Sequence, residues 1–315
     1  MAFEVPKTAY SGKIKEITLG KGARAVTIGG ETAYPFHLFE GAMPHLPRLA
    51  IEIYDTAPGE WPPAALEPFA GVINDPVAWA KKCLKDYGAE MLCLQLISTD
   101  PNGQNRPAKE AAAVVKKVAD AVDVPLIVWG TANHDKDTEV LREVAELCQD
   151  KNLILGPVEE ADHKKIGAAA IGYKHTVVAS SPIDINLAKQ LNILLGNLGV
   201  PDGALVMDPT ASSIGYGIEY CYSVMERMRM AALTQQDEKL QVPIICNLGK
   251  EVWKTKEAKI TEAENPGMGD AARRGILLEA MSAMVLLLAG ADVVIMRHPE
   301  AVKLVKGLIA ELAAR

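Results

Sequence analysis

A short apolar run, a polar loop and an amphipathic helix follow one another eight times along this chain, and that recurrence limits its fold more than any other feature. The unit is plainest at residues 203–229, GALVMDPTASSIGYGIEYCYSVMERMR. Gly203 to Met207 suits a strand buried on both faces, and it stops at Asp208-Pro209. Past a Thr/Ser/Gly loop, Ile218, Cys221, Tyr222, Met225 and Arg229 return at spacings of three and four, the stripe of a helix that buries one side. Half of a βαβ unit is therefore written in one stretch.

The other units fall around it in order. Lys13 to Leu19 and Ala23 to Ile28, split by Gly20-Lys21-Gly22, read as a hairpin ahead of the repeats, placed to plug or flank the bottom of the main fold. A proline-rich connector, Glu31 to Pro47, follows. Strands are expected at Arg48–Tyr54, Glu90–Ile97, Pro125–Trp129, Asn152–Leu155, Thr176–Ala179, Gly203–Met207, Val242–Cys246 and Asp292–Met296. The helices between them include Pro76–Tyr87, capped by Asp75 with proline at its first position. Others are Ala108–Val122, a helix capped by Asp135 and reaching Cys148, and a small-residue helix near Ala161–Tyr173. Ser180-Ser181-Pro182 is expected to cap a helix carrying Leu187, Leu191, Leu194, Leu195 and Leu198 on one face. Helices at about Ala271–Gly290 and Ala301–Leu312 complete the series. Eight strands alternating with eight helices give an α/β fold, a (β/α)8 TIM barrel spanning residues 48–315, with residues 1–47 as an N-terminal hairpin extension and connector. An open doubly wound sheet, the alternative, calls for a GxGxxG turn after an early strand, and the sequence has none.

Charge and cysteine usage narrow the function classes. A net charge of −7 lacks the basic stripe of a nucleic-acid binder. The most apolar stretch, Ala280 to Ala291, is bounded by Glu279 and Asp292 and is too short to span a bilayer. The N-terminus has no apolar signal segment, so a cytoplasmic protein is expected. Cys83, Cys93, Cys148, Cys221 and Cys246 include no CxxC pair, and an iron-sulfur or zinc site held by this chain alone is not expected. They read as small buried hydrophobes.

In a barrel the functional face is the ring of strand carboxyl ends. That ring collects Asp55, Ser98 to Asn102, Thr131 to His134, Ser180, Ser181, Asp208 to Tyr216, Asn247, Arg297 and His298. It is rich in amides and hydroxyls. Asp208 either orients a ligand or simply turns the chain, and Asn102 and Asn133 either read a ligand amide or shape their loops. No HxH or HExxH pairing speaks for a hydrolytic metal centre. The last two loops lack the glycine pair of a phosphate site, and no lysine stands at a strand end within an apolar run, so neither a phosphorylated substrate nor a Schiff base is indicated. Two long insertions, Thr56 to Asn74 and Asn247 to Asp270, leave from the same face and should wall the mouth. Trp61 and Phe69 in the first are candidate interface anchors or local packing residues. Gly267-Met268-Gly269 in the second is a place of close approach or mere punctuation.

Four segments carry a more specific signal: LQLISTDPNGQNRP (Leu94 to Pro107), GTANHDKD (Gly130 to Asp137), SSPIDINLAKQLNILL (Ser180 to Leu195) and MDPTASSIGYGIEY (Met207 to Tyr220). In this order the chain, from about Gly12 onward, resembles the small subunit of the corrinoid iron-sulfur protein of the reductive acetyl-CoA pathway, related to the delta subunit of archaeal acetyl-CoA decarbonylase/synthase. The resemblance implies a barrel related to pterin-dependent methyltransferases, forming half of a heterodimer. The larger subunit would hold a [4Fe-4S] cluster and a corrinoid-binding domain, with cobalamin between that domain and this barrel's mouth. The pair would carry a methyl group from methyltetrahydrofolate, through a separate methyltransferase, to acetyl-CoA synthase. No catalytic residue is implied for this chain, and no DxHxxG corrinoid motif occurs in it. The cofactor-facing residues expected from loop position are Ser98, Thr99, Asp100, Asn102, Thr131, Asn133, Asp208, Thr210, Ser212, Ser213, Tyr216, Gly267 and Met268. The alternative is a pterin-dependent methyltransferase in which Asp208, Asp100 and Asn133 hold the pterin in this chain's own barrel.

Overall fold

The structure, a computed structural model, describes residues 4–314, with Ser212 and Ser213 described in their backbone only. Among the described residues ten strands form a two-stranded sheet and a closed parallel barrel. The hairpin pairs β1 (Ile17–Leu19) with β2 (Val26–Ile28), Leu19 opposite Val26. Its second strand starts later than Ala23 because Gly22–Arg24 coils into a 3-10 turn. Alternation along the pair sends Ile17, Leu19, Val26 and Ile28 to one side. There they join Ala50, Met91, Ile127, Ile154 and Val293 from the barrel's interior. The hairpin thus plugs the end from which the strands start, and Asn152 Nδ2, just ahead of a barrel strand, fastens it by donating to the Gly20 carbonyl at 2.8 Å.

The barrel strands are β3 (Arg48–Tyr54), β4 (Met91–Gln95), β5 (Leu126–Trp129), β6 (Ile154–Val158), β7 (Thr176–Ser180), β8 (Leu205–Asp208), β9 (Ile244–Asn247) and β10 (Ala291–Met296). They follow chain order around the ring, and β10 closes it against β3. Between them run α2 (Pro76–Tyr87), α3 (Ala108–Ala121), α4 (His134–Leu147), α5 (His163–Tyr173), α6 (Ile185–Leu198), α7 (Ile218–Thr234) and α10 (Ala271–Leu288), with α11 (Pro299–Ala313) last. The insertions carry the single turns α1 (Pro63–Leu66), α8 (Gly249–Val252) and α9 (Lys256–Lys259).

Many strand and helix limits differ from the sequence expectation, and three of the differences concern a punctuation or capping residue. The fourth barrel strand does not end before Gly156-Pro157 but runs through that cis peptide to Val158. The cap of α4 is Asn133, whose side chain accepts from Lys136 N, rather than Asp135. The cap of α6 is Asp184, not Ser180-Ser181-Pro182, and α6 buries Ala188, Leu191, Asn192 and Leu195 while Leu187 is exposed. In both helices the winner is the residue just ahead of the first helical turn, where a side-chain oxygen reaches the unpaired N–H groups. Asp75 caps α2 in the expected way, accepting from Val77 N and Ala78 N at 2.9 and 3.1 Å. Asp75→Ala is expected to cost about 1 kcal/mol in a chemical denaturation curve.

All five cysteines are buried. Among the described residues no helix is long and apolar enough to cross a membrane.

Candidate functional site

The mouth is built by the two-residue period of the strands. Along β3 the inner column passes from Ala50 to Glu52, along β4 from Cys93 to Gln95, along β9 from Ile245 to Asn247, and past β10 from Ile295 to Arg297. Each column is apolar below and polar at its tip. The tips bond to one another: Gln95 Nε2 donates to Glu52 Oε2 at 2.9 Å and Asn247 Oδ1 at 3.0 Å. Arg297 Nε donates to Glu52 Oε1 at 2.5 Å, and an Nη donates to the Tyr54 hydroxyl at 2.9 Å. The Arg297 guanidinium also lies over the Trp61 ring, 3.8 Å from its centroid. Behind it, Glu279 on α10 accepts from the backbone N–H groups of Arg297 and His298 and from Trp253 Nε1. Burial lifts the Glu279 carboxyl to about 7, against those donors.

Gly249 makes this layer possible. A Cβ there would sit 2.8 Å from Arg297 N and 2.9 Å from Glu52 Oε1. Backbone cannot give way as a side-chain end can, so the first turn after β9 needs glycine.

On the opposite arc, β7 and β8 end in Ser180 and Asp208. Ser180 Oγ donates to Asp208 Oδ2 at 2.9 Å, and Thr210 N donates to Oδ1 at 3.0 Å. Burial raises the Asp208 carboxyl to about 7, helped by Glu159 and Glu251. The folded chain then holds this proton more tightly than the unfolded one, whose carboxyl titrates near 3.8. Stability from this group is full at acid pH and falls as pH rises from about 4 to about 7. Asp208→Asn is expected to flatten that slope and to raise stability at pH 8 by about 1–3 kcal/mol, with little change at pH 4. Urea midpoints across that range check it.

Above the polar layer opens a cavity of about 460 Å³, walled by the two insertions. Ala57 to Trp61 form one side and Lys250, Trp253, Lys254 and Lys259 the other, with Tyr54, Ile97, Asp100, Thr131 and Arg297 between. Trp61 and Phe69 face inward: both are buried, packed with Trp79 at centroid distances of 5.5 and 5.1 Å. They anchor the first insertion to the barrel wall, so the interface-anchor reading gives way to local packing.

The residues expected to face a cofactor are spread over three depths. Asp100 and Thr131 line the cavity. Ser98 and Thr99 are fully buried; Ser98 bonds to Asp55 through both N and Oγ, and Thr99 Oγ1 donates to the Leu96 carbonyl at 2.8 Å. Asp208 is buried as described, and Thr210 Oγ1 donates to the Ser181 carbonyl at 2.8 Å. Asn102, Asn133, Tyr216, Gly267 and Met268 sit exposed on the rim. The side chains of Ser212 and Ser213 lie outside the described residues.

Glu52, Gln95, Lys250 and Glu279 were not among the sequence candidates. Glu52 had a visible signal: a lone carboxylate in RLAIEIY is too costly to bury without a cation. Lys250 stands three residues past the end of β9, in the turn α8, and lines the cavity, so a lysine is present at the mouth. Among the described residues no group of three or more His, Cys, Asp or Glu side chains is placed to hold a metal ion.

Similar barrels occur in dihydropteroate synthases. The enzyme of Xanthomonas albilineans with 4-aminobenzoic acid superposes with a TM-score of 0.59 at 14% identity, over 95% of this chain and 98% of that one. The Thermus thermophilus enzyme in complex with 4-aminobenzoate gives 0.52 at 17%, over 89% and 98%. At such identities the likeness is one of fold. Sequence comparison goes further. The acetyl-CoA decarbonylase/synthase complex subunit delta of Archaeoglobus fulgidus is 37% identical over 325 aligned positions, covering 99% of this chain and 71% of the relative. That of Methanopyrus kandleri is 37% identical over 287, covering 91% and 70%. The model of the CO dehydrogenase/acetyl-CoA synthase delta subunit family matches residues 16–310, and the chain belongs to that family.

Proposed function

We propose that this chain is the small barrel subunit of a heterodimeric corrinoid iron-sulfur methyl carrier. It covers one face of a cobalamin held by a larger subunit, which also carries the [4Fe-4S] cluster. The carrier takes a methyl group from methyltetrahydrofolate, by way of a separate methyltransferase, and passes it to acetyl-CoA synthase. Family membership over residues 16–310 carries this reading. The relatives are named as subunits of a complex, which fits a chain that works beside others.

The mouth is consistent with such a role. Its 460 Å³ suits a drug-sized molecule rather than a whole corrin, so the macrocycle would rest on the rim instead of entering. The rim offers the amides of Asn102 and Asn133 and the phenol of Tyr216, groups that pair with the amides around a corrin. Cobalt supplies the methyl-carrying chemistry; this chain's residues shield it from water. Ser98, Thr99, Asp208 and Thr210 hold the loops that carry the rim.

Co-expression with and without a large corrinoid subunit tests the reading through the visible spectrum of the purified material. Corrinoid absorbance is expected only when both chains are present. Tight, micromolar binding of methyltetrahydrofolate by the lone chain in calorimetry would instead favour a methyltransferase. Tyr216 is 92% exposed, so Tyr216→Ala is expected to leave stability within about 0.5 kcal/mol. It should nevertheless reduce the corrinoid retained by the pair.

A further inference from the structure

The polar layer at the strand tips satisfies itself, but the cavity above it does not. Lys250 is part-buried in the cavity wall, and among the described residues its ammonium makes no hydrogen bond or ion pair. The carboxylates near it are engaged elsewhere: Glu52 by Arg297 and Gln95, Glu251 by Lys254 at 3.1 Å, and Asp137 by Thr131 and Ala132. The indole rings of Trp61 and Trp253 line the same space. An ammonium drawn partly out of water without a counter-ion is costly. The cost is relieved by an oxygen-bearing anion in the cavity that Lys250 lines.

We propose that the mouth cavity binds a small organic carboxylate, with Lys250 receiving the carboxylate and the apolar body lying against Trp61, Trp253 and Ile97. A carboxylate is preferred to a phosphate on the chemistry of the wall. Asp100 and Glu60 on the rim disfavour a second negative charge. The volume lies in the range for a small ligand with a ring or short chain. This site is independent of the corrinoid reading, because it needs neither the larger subunit nor the cofactor.

The test uses the full chain alone. Benzoate, hexanoate and inorganic phosphate are titrated while indole fluorescence is followed, Trp61 and Trp253 reporting on the cavity, with calorimetry alongside. Saturable binding of benzoate or hexanoate with Kd of about 1 mM or below is expected, and weaker binding of phosphate. Lys250→Gln should weaken carboxylate binding by about tenfold or more, the size of a charge-assisted hydrogen bond, while Lys250→Arg retains most of it. Lys303→Gln, on the outer face of α11, should leave it unchanged. Circular dichroism of each variant separates misfolding from lost binding. The proposal falls if neither carboxylate saturates, if Lys250→Gln binds as the parent does, or if phosphate binds as well as benzoate.

Discussion

Replacing Arg229 with methionine is expected to lower the free energy of unfolding by about 3–5 kcal/mol, read as a lower urea midpoint at unchanged slope. Arg229 is 2% exposed in the wall between α7 and the barrel. Its guanidinium pairs with Asp292 at the start of β10, and it donates to the Gly290 carbonyl through Nε at 3.1 Å and to the Val242 carbonyl at 3.2 Å. Asp292 in turn accepts from Ile244 N at 2.6 Å. One side chain therefore ties together the starts of β9 and β10. Without it a buried carboxylate is left with no cation, and two carbonyls lose their donor. The double variant Arg229→Met with Asp292→Leu separates the two losses. Recovery of about half the stability or more is expected if the orphaned charge dominates, and no recovery if the carbonyls do.

The second large effect is expected at Trp79. It is fully buried on α2, between Trp61 and Phe69 of the first insertion and Tyr54 at the strand tip. Trp79→Ala should cost about 3–5 kcal/mol, the range for deleting a large aromatic from a core. Its indole N–H has no hydrogen-bond partner, so Trp79→Phe removes packing but no bond and should cost clearly less. Because Trp79 supports the cavity wall from behind, the alanine variant should also loosen the loop that carries Trp61. Faster amide exchange at residues 57–61 would register it.

Sequence periodicity reveals strands and helices well wherever one face dominates. The limits of β3 and α2, Arg48–Tyr54 and Pro76–Tyr87, coincide with the expectation, because an apolar run ends at Asp55 and an Asp-Pro pair opens the helix. Where two capping residues stand close together, local chemistry does not choose between them. Asn133 over Asp135, and Asp184 over the serines, were settled by which residue met the first helical turn. The strand at Ile154–Val158 outran its Gly-Pro punctuation because the neighbouring strands pair on both sides of it. At the mouth, the ring of candidates was readable from strand ends, but depth was not. Ser98 and Asn102 lie four residues apart in one loop, yet one is buried against Asp55 and the other is exposed. Lys250 escaped notice because its place in the wall comes from a single helical turn that no periodicity announces.

The hairpin at the foot of the barrel has a consequence for traffic. Ile17, Leu19, Val26 and Ile28 close the far end of a packed interior, so the mouth cavity, which stands on the polar layer, has no second exit through the barrel. A molecule lodged in it would leave by the way it came. A large guest settled over the brim would therefore lock a small one beneath it, and the slower departure would set the pace of exchange for both.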